Sequence, residues 1–349
     1  MPSPREKLSD YYRGKSVLIT GGCGTIGGAI VKKLLDLDVK VVRIYDNNEY
    51  GLFDFQQRYD GNPRLRFLLG DVRDKTRLTY ALKGIDIVFH AAALKHVSLC
   101  EYNPFEAIKT NVEGTQNVIE VSLDENVQKF VMISTDKAVS PINTMGATKL
   151  LGEKLTIAAN YYKGGKRTEF SCVRFGNVLN SRGSVFEIFR SQIAAGGPLT
   201  LTSPDMKRFV MLIPEAVQLI LESTRVSKGG EVFILKMQAL RIRELADVMI
   251  KKLAPQYGYD PGKIRVETIG ERRGEKLDEE LMTQYESNYA LNLGEYYAVI
   301  PLYDMDDHYR NVKFDNSAKV NALNTDNAAL LSKVEIEGLI ESVMAEDEG

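Results

Sequence analysis

Six short apolar runs, separated by segments with helical spacing, constrain the fold of this 349-residue chain more than any other feature. They are Ser16–Thr20, Val41–Tyr45, Arg66–Leu69, Asp86–His90, Lys129–Ser134 and Phe170–Arg174, with helical segments such as Ala29–Leu37 and Asn111–Leu123 between them. The runs are continuous rather than alternating, so each strand needs apolar cover on both faces. That pattern implies a parallel sheet between two helical layers, a doubly wound α/β fold. Residues 1–177 read as a Rossmann-like domain, to which later segments can return. Residues 178–295 read as a smaller α/β lobe, with helices expected over Ser184–Ala195, Ile213–Thr224 and Ile242–Leu253 and strands over Glu231–Leu235 and Ile264–Ile269. Residues 296–349 form a tail with no assigned role, ending in a short amphipathic helix.

The totals remove several functional classes. A net charge of −2 offers no basic excess for nucleic acid or an anionic membrane surface. Three scattered cysteines (Cys23, Cys100, Cys172) supply neither a disulfide framework nor a metal signature, which fits a reducing compartment. No run approaches the ~20 apolar residues of a membrane helix, and the polar N-terminus is unlike a signal peptide. A cytoplasmic protein is expected.

Directly after the first run comes TGGCGTIG, with Gly21, Gly24 and Gly27 three residues apart and Thr25 and Ile26 between the last two. Glycines there let backbone approach a pyrophosphate seated on the following helix N-terminus. Asp46 ends the second run at the spacing of a ribose-binding acid, which favours NAD over NADP. Neighbouring Arg43 and Asn47 keep that choice open. Asp71 and Val72 stand where an adenine is contacted, and Ala91 and Ala92 permit close approach to a dinucleotide.

The stretch STDKAVSPINTMGATK, Ser134–Lys149, follows the fifth run. Thr135, Asp136 and Lys137 therefore fall at a strand's C-terminal end, where open parallel sheets bind ligands. Lys149 follows on a helix, and Met145 shares its face one turn earlier.

These strings, with HAAALKHVSLCEYNPFEAIKTNVEGT, RFGNVL, GGPLTLTSPDMKRFVM and RRGEKLDEEL, resemble the extended short-chain dehydrogenase/reductase family, in particular its UDP-N-acetylglucosamine 4,6-dehydratases. The resemblance runs from about Lys15 to Leu281. It implies oxidation at C4 with bound NAD(P), loss of water across C5–C6, and hydride return to C6. Lys137 is then the C5 base and Asp136 the acid for the departing hydroxyl, while Thr135 holds the C4 oxygen and Lys149 the nicotinamide ribose. A basic amine must be neutral, and positive charge from Lys149 and the nicotinium is expected to keep it so. Met145 replaces the wider family's tyrosine and cannot move a proton, which leaves three readings: a dead enzyme, ordinary apolar packing with the chemistry elsewhere, or, as the intact STDK string favours, Asp136 helped by Thr135 also taking the O4 proton. The resemblance places Lys95, His96, Asn177, Arg208 and Arg272 at the substrate, with Asn177 and Arg272 on the diphosphate, although Asn180 and Arg273 depart from the family's pattern. It also implies a homo-oligomer. A 4-epimerase and a non-catalytic nucleotide-sugar-binding protein are the alternatives.

Overall fold

The computed structural model describes residues 7–270, 273–303, 309 and 321–347. Its first six strands are β1 (Ser16–Thr20), β2 (Val41–Asp46), β3 (Leu65–Leu69), β4 (Ile87–His90), β5 (Lys129–Thr135) and β6 (Glu169–Phe175). There follow β7 (Asn177–Val178), β8 (Leu199–Leu201), β9 (Lys207–Met211), β10 (Val232–Leu235) and β11 (Gln238–Arg241). The last are β12 (Val266–Thr268), β13 (Glu280–Met282), β14 (Ala290–Asn292), β15 (Tyr296–Val299) and β16 (Leu323–Asn324).

Nine strands form one sheet in the order β3-β2-β1-β4-β5-β6-β10-β15-β14. It is parallel as far as β10, with β15 and β14 added antiparallel. Successive strand residues point to opposite faces. Val17, Ile19, Val131 and Ile133 therefore enter one core with the helices Thr25–Leu35 and Ile213–Val226, while Leu18, Phe130 and Met132 enter another with Lys75–Leu82 and Gly114–Asp124. Both faces are covered, which explains the continuous apolar runs. Strand order reverses between β1 and β4, opening a crevice at their carboxyl ends.

One expectation is corrected. Glu231–Leu235 was placed in the small lobe, but Val232, Phe233 and Ile234 pair with Cys172, Val173 and Arg174 of β6 in the main sheet. An apolar run announces burial without announcing its neighbour. Tyr296–Val299 of the tail joins the same sheet beyond it. The smaller lobe holds the sheet β11-β9-β7, the pair β12-β8, and helices Val185–Ala194 and Ile242–Leu253. Its core includes Phe186, Phe189, Leu245 and Met249, and it also takes Ile336, Ile340 and Val343 from the helix Lys333–Asp347. The tail's last helix is thus part of the lobe.

Candidate active site

Gly21 has φ +68°, and a Cβ there would lie 2.6 Å from the Ala92 nitrogen. At Gly27 a Cβ would lie 2.4 Å from the Gly21 carbonyl oxygen. Only glycine fits these two positions. Gly24 precedes the helix Thr25–Leu35 and gives it no side-chain cap, which leaves first-turn N–H groups for an anion. This cradle fits a pyrophosphate.

Around it, Asp46 accepts from the Cys23 N–H at 2.9 Å and the Asn48 N–H at 3.0 Å, with acceptor capacity remaining for a ribose. Arg43 donates to the Ala81 and Lys83 carbonyls, both at 2.7 Å, and so is committed away from the crevice. Asp71 pairs with Arg73 at 2.6 Å, and buried Val72 packs where Gly114 leaves room. Ala91 and Ala92 lie against Gly21. Beneath them His90 contacts Thr20 Oγ1 through Nδ1 (2.7 Å) and Thr115 Oγ1 through Nε2 (3.0 Å), while Thr115 donates to the Asn111 carbonyl. With the Thr115 proton committed, Nε2 must donate, and Nδ1 meets the Thr20 hydroxyl in a ring that burial favours neutral. Burial, aided by Lys149, pushes its pKa down to about 3.

At the end of β5 the chain turns through a single 3₁₀ turn, Asp136–Ala138, capped by Thr135. The Thr135 hydroxyl donates to Asp136 Oδ1 at 2.6 Å. Asp136 is 1% exposed. Lys137 Nζ lies 3.1 and 3.2 Å from its two oxygens, 3.2 Å from Asn177 Oδ1 and 3.0 Å from Glu279 Oε1. Burial would raise the Asp136 pKa, but Lys137 and the hydrogen bonds from Glu279 and Thr135 hold it below the ordinary carboxylate value. Burial would lower that of Lys137, yet Asp136 and Glu279 together raise it. The expected neutral amine is therefore an ammonium in the resting site, because carboxylates rather than Lys149 are its nearest charges.

Glu279 is the residue that sequence reasoning missed. Its carboxyl also meets Arg208 Nε at 3.1 Å and Asn177 Nδ2 at 3.0 Å. Burial and the charge of Asp136 push its pKa up to about 7. The clue was the acidic run Asp278–Glu279–Glu280 beside RRGEK, which does not say which acid turns inward.

Lys149 is buried and donates to the Ile133 carbonyl of β5 at 2.5 Å. Burial, partly offset by Glu153, lowers its pKa to about 8. Met145, on the same helix (Thr144–Tyr162), packs in an apolar cluster with Cys100, Ala107 and Val97. It is thus a packing residue at the margin of a cavity lined by Val97, Asp136, Lys137, Arg208, Lys276 and Glu279.

The expected substrate residues divide. Asn177 and Arg208 belong to the acid–base cluster, with Arg208 also donating to the Lys276 and Leu277 carbonyls. Lys95 reaches the Arg182 carbonyl at 2.6 Å, and His96 lies against Gly183, so both face that loop instead. Arg272 lies outside the described residues. Among the described residues no three His, Cys, Asp or Glu side chains gather as metal ligands, and no helix is long and apolar enough to cross a membrane.

A family model described as polysaccharide biosynthesis protein matches residues 17–301. An uncharacterized membrane protein of Methanocaldococcus jannaschii is 54% identical over 319 residues, covering 91% of this chain and 95% of its own. A UDP-N-acetylglucosamine 4,6-dehydratase (inverting) of Campylobacter jejuni is 41% identical, with 83% and 84% covered. A UDP-glucose 4-epimerase of Rickettsia canadensis is 39% identical, with 88% and 89% covered. Among solved structures, Pen from Bacillus thuringiensis superposes with TM-score 0.88 at 42% identity, covering 95% of this chain and 98% of that one. The dTDP-glucose 4,6-dehydratase DesIV from Streptomyces venezuelae, with NAD and TYD bound, gives 0.68 at 25% identity over 75% and 86%.

Proposed function

This chain belongs to the polysaccharide biosynthesis protein family, and from that premise we propose that it is an NAD-dependent 4,6-dehydratase of UDP-N-acetylglucosamine, acting in the cytoplasm as a homo-oligomer. The pair of buried Asp136 and half-buried Lys137, 3.1 Å apart where β5 ends at the cavity, carries this reading. Elimination across C5–C6 needs a base and an acid side by side, and these two residues supply both. The C. jejuni relative named as a dehydratase and the NAD-bound DesIV fold support it further.

When bound, a nicotinamide dinucleotide supplies the hydride acceptor for C4 and the hydride donor for C6. Gly21, Gly24, Thr25, Ile26 and Gly27 hold its pyrophosphate, Asp46 its adenosine ribose and Lys149 its nicotinamide ribose. A 2′-phosphate beside Asp46 meets like charge, and Arg43 is not free to offset it, so NAD is preferred over NADP. Thr135 holds the C4 oxygen, and ionised Asp136 accepts the O4 proton. The resulting ketone acidifies C5, Lys137 takes that proton as an amine, and Asp136 delivers its proton to the C6 oxygen, which leaves as water.

The Rickettsia relative named as an epimerase favours a second reading, 4-epimerisation. That reaction moves a proton only at O4 and leaves Lys137 without a task. Incubation with UDP-N-acetylglucosamine in deuterated water, followed by NMR, separates the two. A 4-keto-6-deoxy product with deuterium at C5 is expected; a galacto product means epimerisation, and unchanged sugar means a binding protein. If Lys137→Ala forms the keto-deoxy sugar at the wild-type rate, Lys137 is not the base.

A further inference from the structure

We infer that Glu279 is the proton acceptor that converts Lys137 from its resting ammonium into the amine needed at C5. The inference rests on the dehydratase reading. Its Oε1 lies 3.0 Å from Lys137 Nζ, so a proton can pass directly between them. Glu279 is 4% exposed, so a proton it takes up is held away from bulk water.

The groups facing Glu279 set when that transfer is favourable. Asp136 and Lys137 come from the 3₁₀ turn, Asn177 from β7, Arg208 from β9 and Lys276 from its own segment. Lys137 and Arg208 favour the ionised carboxylate, whereas burial and Asp136 favour the acid. While Asp136 is ionised, its charge also holds the Lys137 proton in place. Neutralising Asp136 weakens its hold on the Lys137 proton and its push on Glu279 together, so the transfer across the 3.0 Å contact is governed by burial, which favours a neutral Lys137–Glu279 pair over the charged one. The N–H bond of Lys137 breaks and an O–H bond forms on Glu279. Lys137 then takes the C5 proton, returns a proton to C5 at the end, and recovers its own from Glu279. No proton is gained or lost by the cluster over the cycle beyond those leaving as water.

Glu279 is positioned by the tail. Its N–H donates to Thr325 Oγ1 at 3.1 Å, the Thr325 N–H donates to its carbonyl at 2.9 Å, and β13 pairs with β16 immediately beyond.

The test isolates the C5 step by incubating each protein with the UDP-4-keto-6-deoxy sugar in deuterated water and following C5 exchange by NMR. Wild type must exchange; if it does not, the dehydratase reading itself fails. Glu279→Gln is expected to exchange about 100-fold more slowly near neutrality, its rate rising about tenfold per pH unit because solvent must deprotonate Lys137. Glu279→Asp keeps a carboxyl and is expected to keep the wild-type shape of the pH profile, which a purely structural role does not predict. Exchange by Glu279→Gln at the wild-type rate or faster, with an unchanged profile, overturns the proposal. A second measurement needs no variant: infrared spectra of wild type with ¹³C-labelled glutamate are expected to lose a buried carboxylic-acid band as pH rises through about 7. Its absence at pH 5 also overturns the proposal.

Discussion

Replacing Glu279 by glutamine changes how the stability of this protein depends on pH, by an amount that follows from one buried carboxyl. Its pKa rises from 4.5 to about 7 on folding, chiefly through burial and the charge of Asp136. A raised acid binds its proton more tightly in the folded state, so stability is lost as pH climbs from the unfolded to the folded value and is flat beyond. Two and a half units at about 1.4 kcal/mol each give a total loss of roughly 3.5 kcal/mol, complete by about pH 8. Glutamine does not titrate and shows no such loss. His90, lowered from 6.5 to about 3, destabilises the fold as pH falls below 6.5, but it does so equally in both proteins and cancels in the comparison. Lys149, lowered from 10.5 to about 8, releases its penalty only above that pH, and Asp136, lowered from 3.8, acts only below its ordinary value. Denaturant unfolding of wild type and Glu279→Gln at pH 5 and pH 8 measures the difference. Wild type is expected to lose about 2.5 kcal/mol relative to the variant across that interval, the rest of the loss falling below pH 5. Parallel curves refute the raised carboxyl, and an opposite difference refutes its sign.

Met145→Leu is expected to cost less than about 1.5 kcal/mol and to keep activity within about threefold, because the side chain packs with Cys100 and Ala107 and moves no proton; thermal unfolding and product NMR read both. Gly27→Ala drives a Cβ to 2.4 Å from the Gly21 carbonyl oxygen, and titration calorimetry is expected to show NAD binding abolished. Asp46→Ala is expected to weaken NAD roughly 10- to 100-fold and to strengthen NADP, as a charge-assisted bond of about 1.5–3 kcal/mol is removed from one and a like-charge repulsion from the other; unchanged NAD affinity leaves Asp46 only its bonds to the Cys23 and Asn48 N–H groups.

Much of the fold was legible because its signals are local. Continuous strands at Ser16–Thr20 and Lys129–Thr135, a glycine loop and a polar triplet at a strand end each lie within a few consecutive residues. What escaped was long-range. Lys137 and Glu279 are 142 positions apart, and the pairing of β13 with β16 and the bonds to Thr325 turn that acid inward. The same limit placed Val232–Leu235 in the wrong lobe, since an apolar strand does not encode its neighbour. Helical spacing located Met145 on the face of Lys149, but the packing of Cys100 and Ala107 decided where its side chain went. Proximity also reversed the expected charge of Lys137, because two carboxylates touch its amine.

The central claim, that this site eliminates water across C5–C6 with Asp136 and Lys137 as acid and base, is tested most directly by UDP-N-acetylglucosamine carrying deuterium at C4. After incubation with the wild-type protein, NMR locates the label. Deuterium at C6 of a 4-keto-6-deoxy sugar is the predicted result. Deuterium retained at C4 of a gluco or galacto sugar contradicts it.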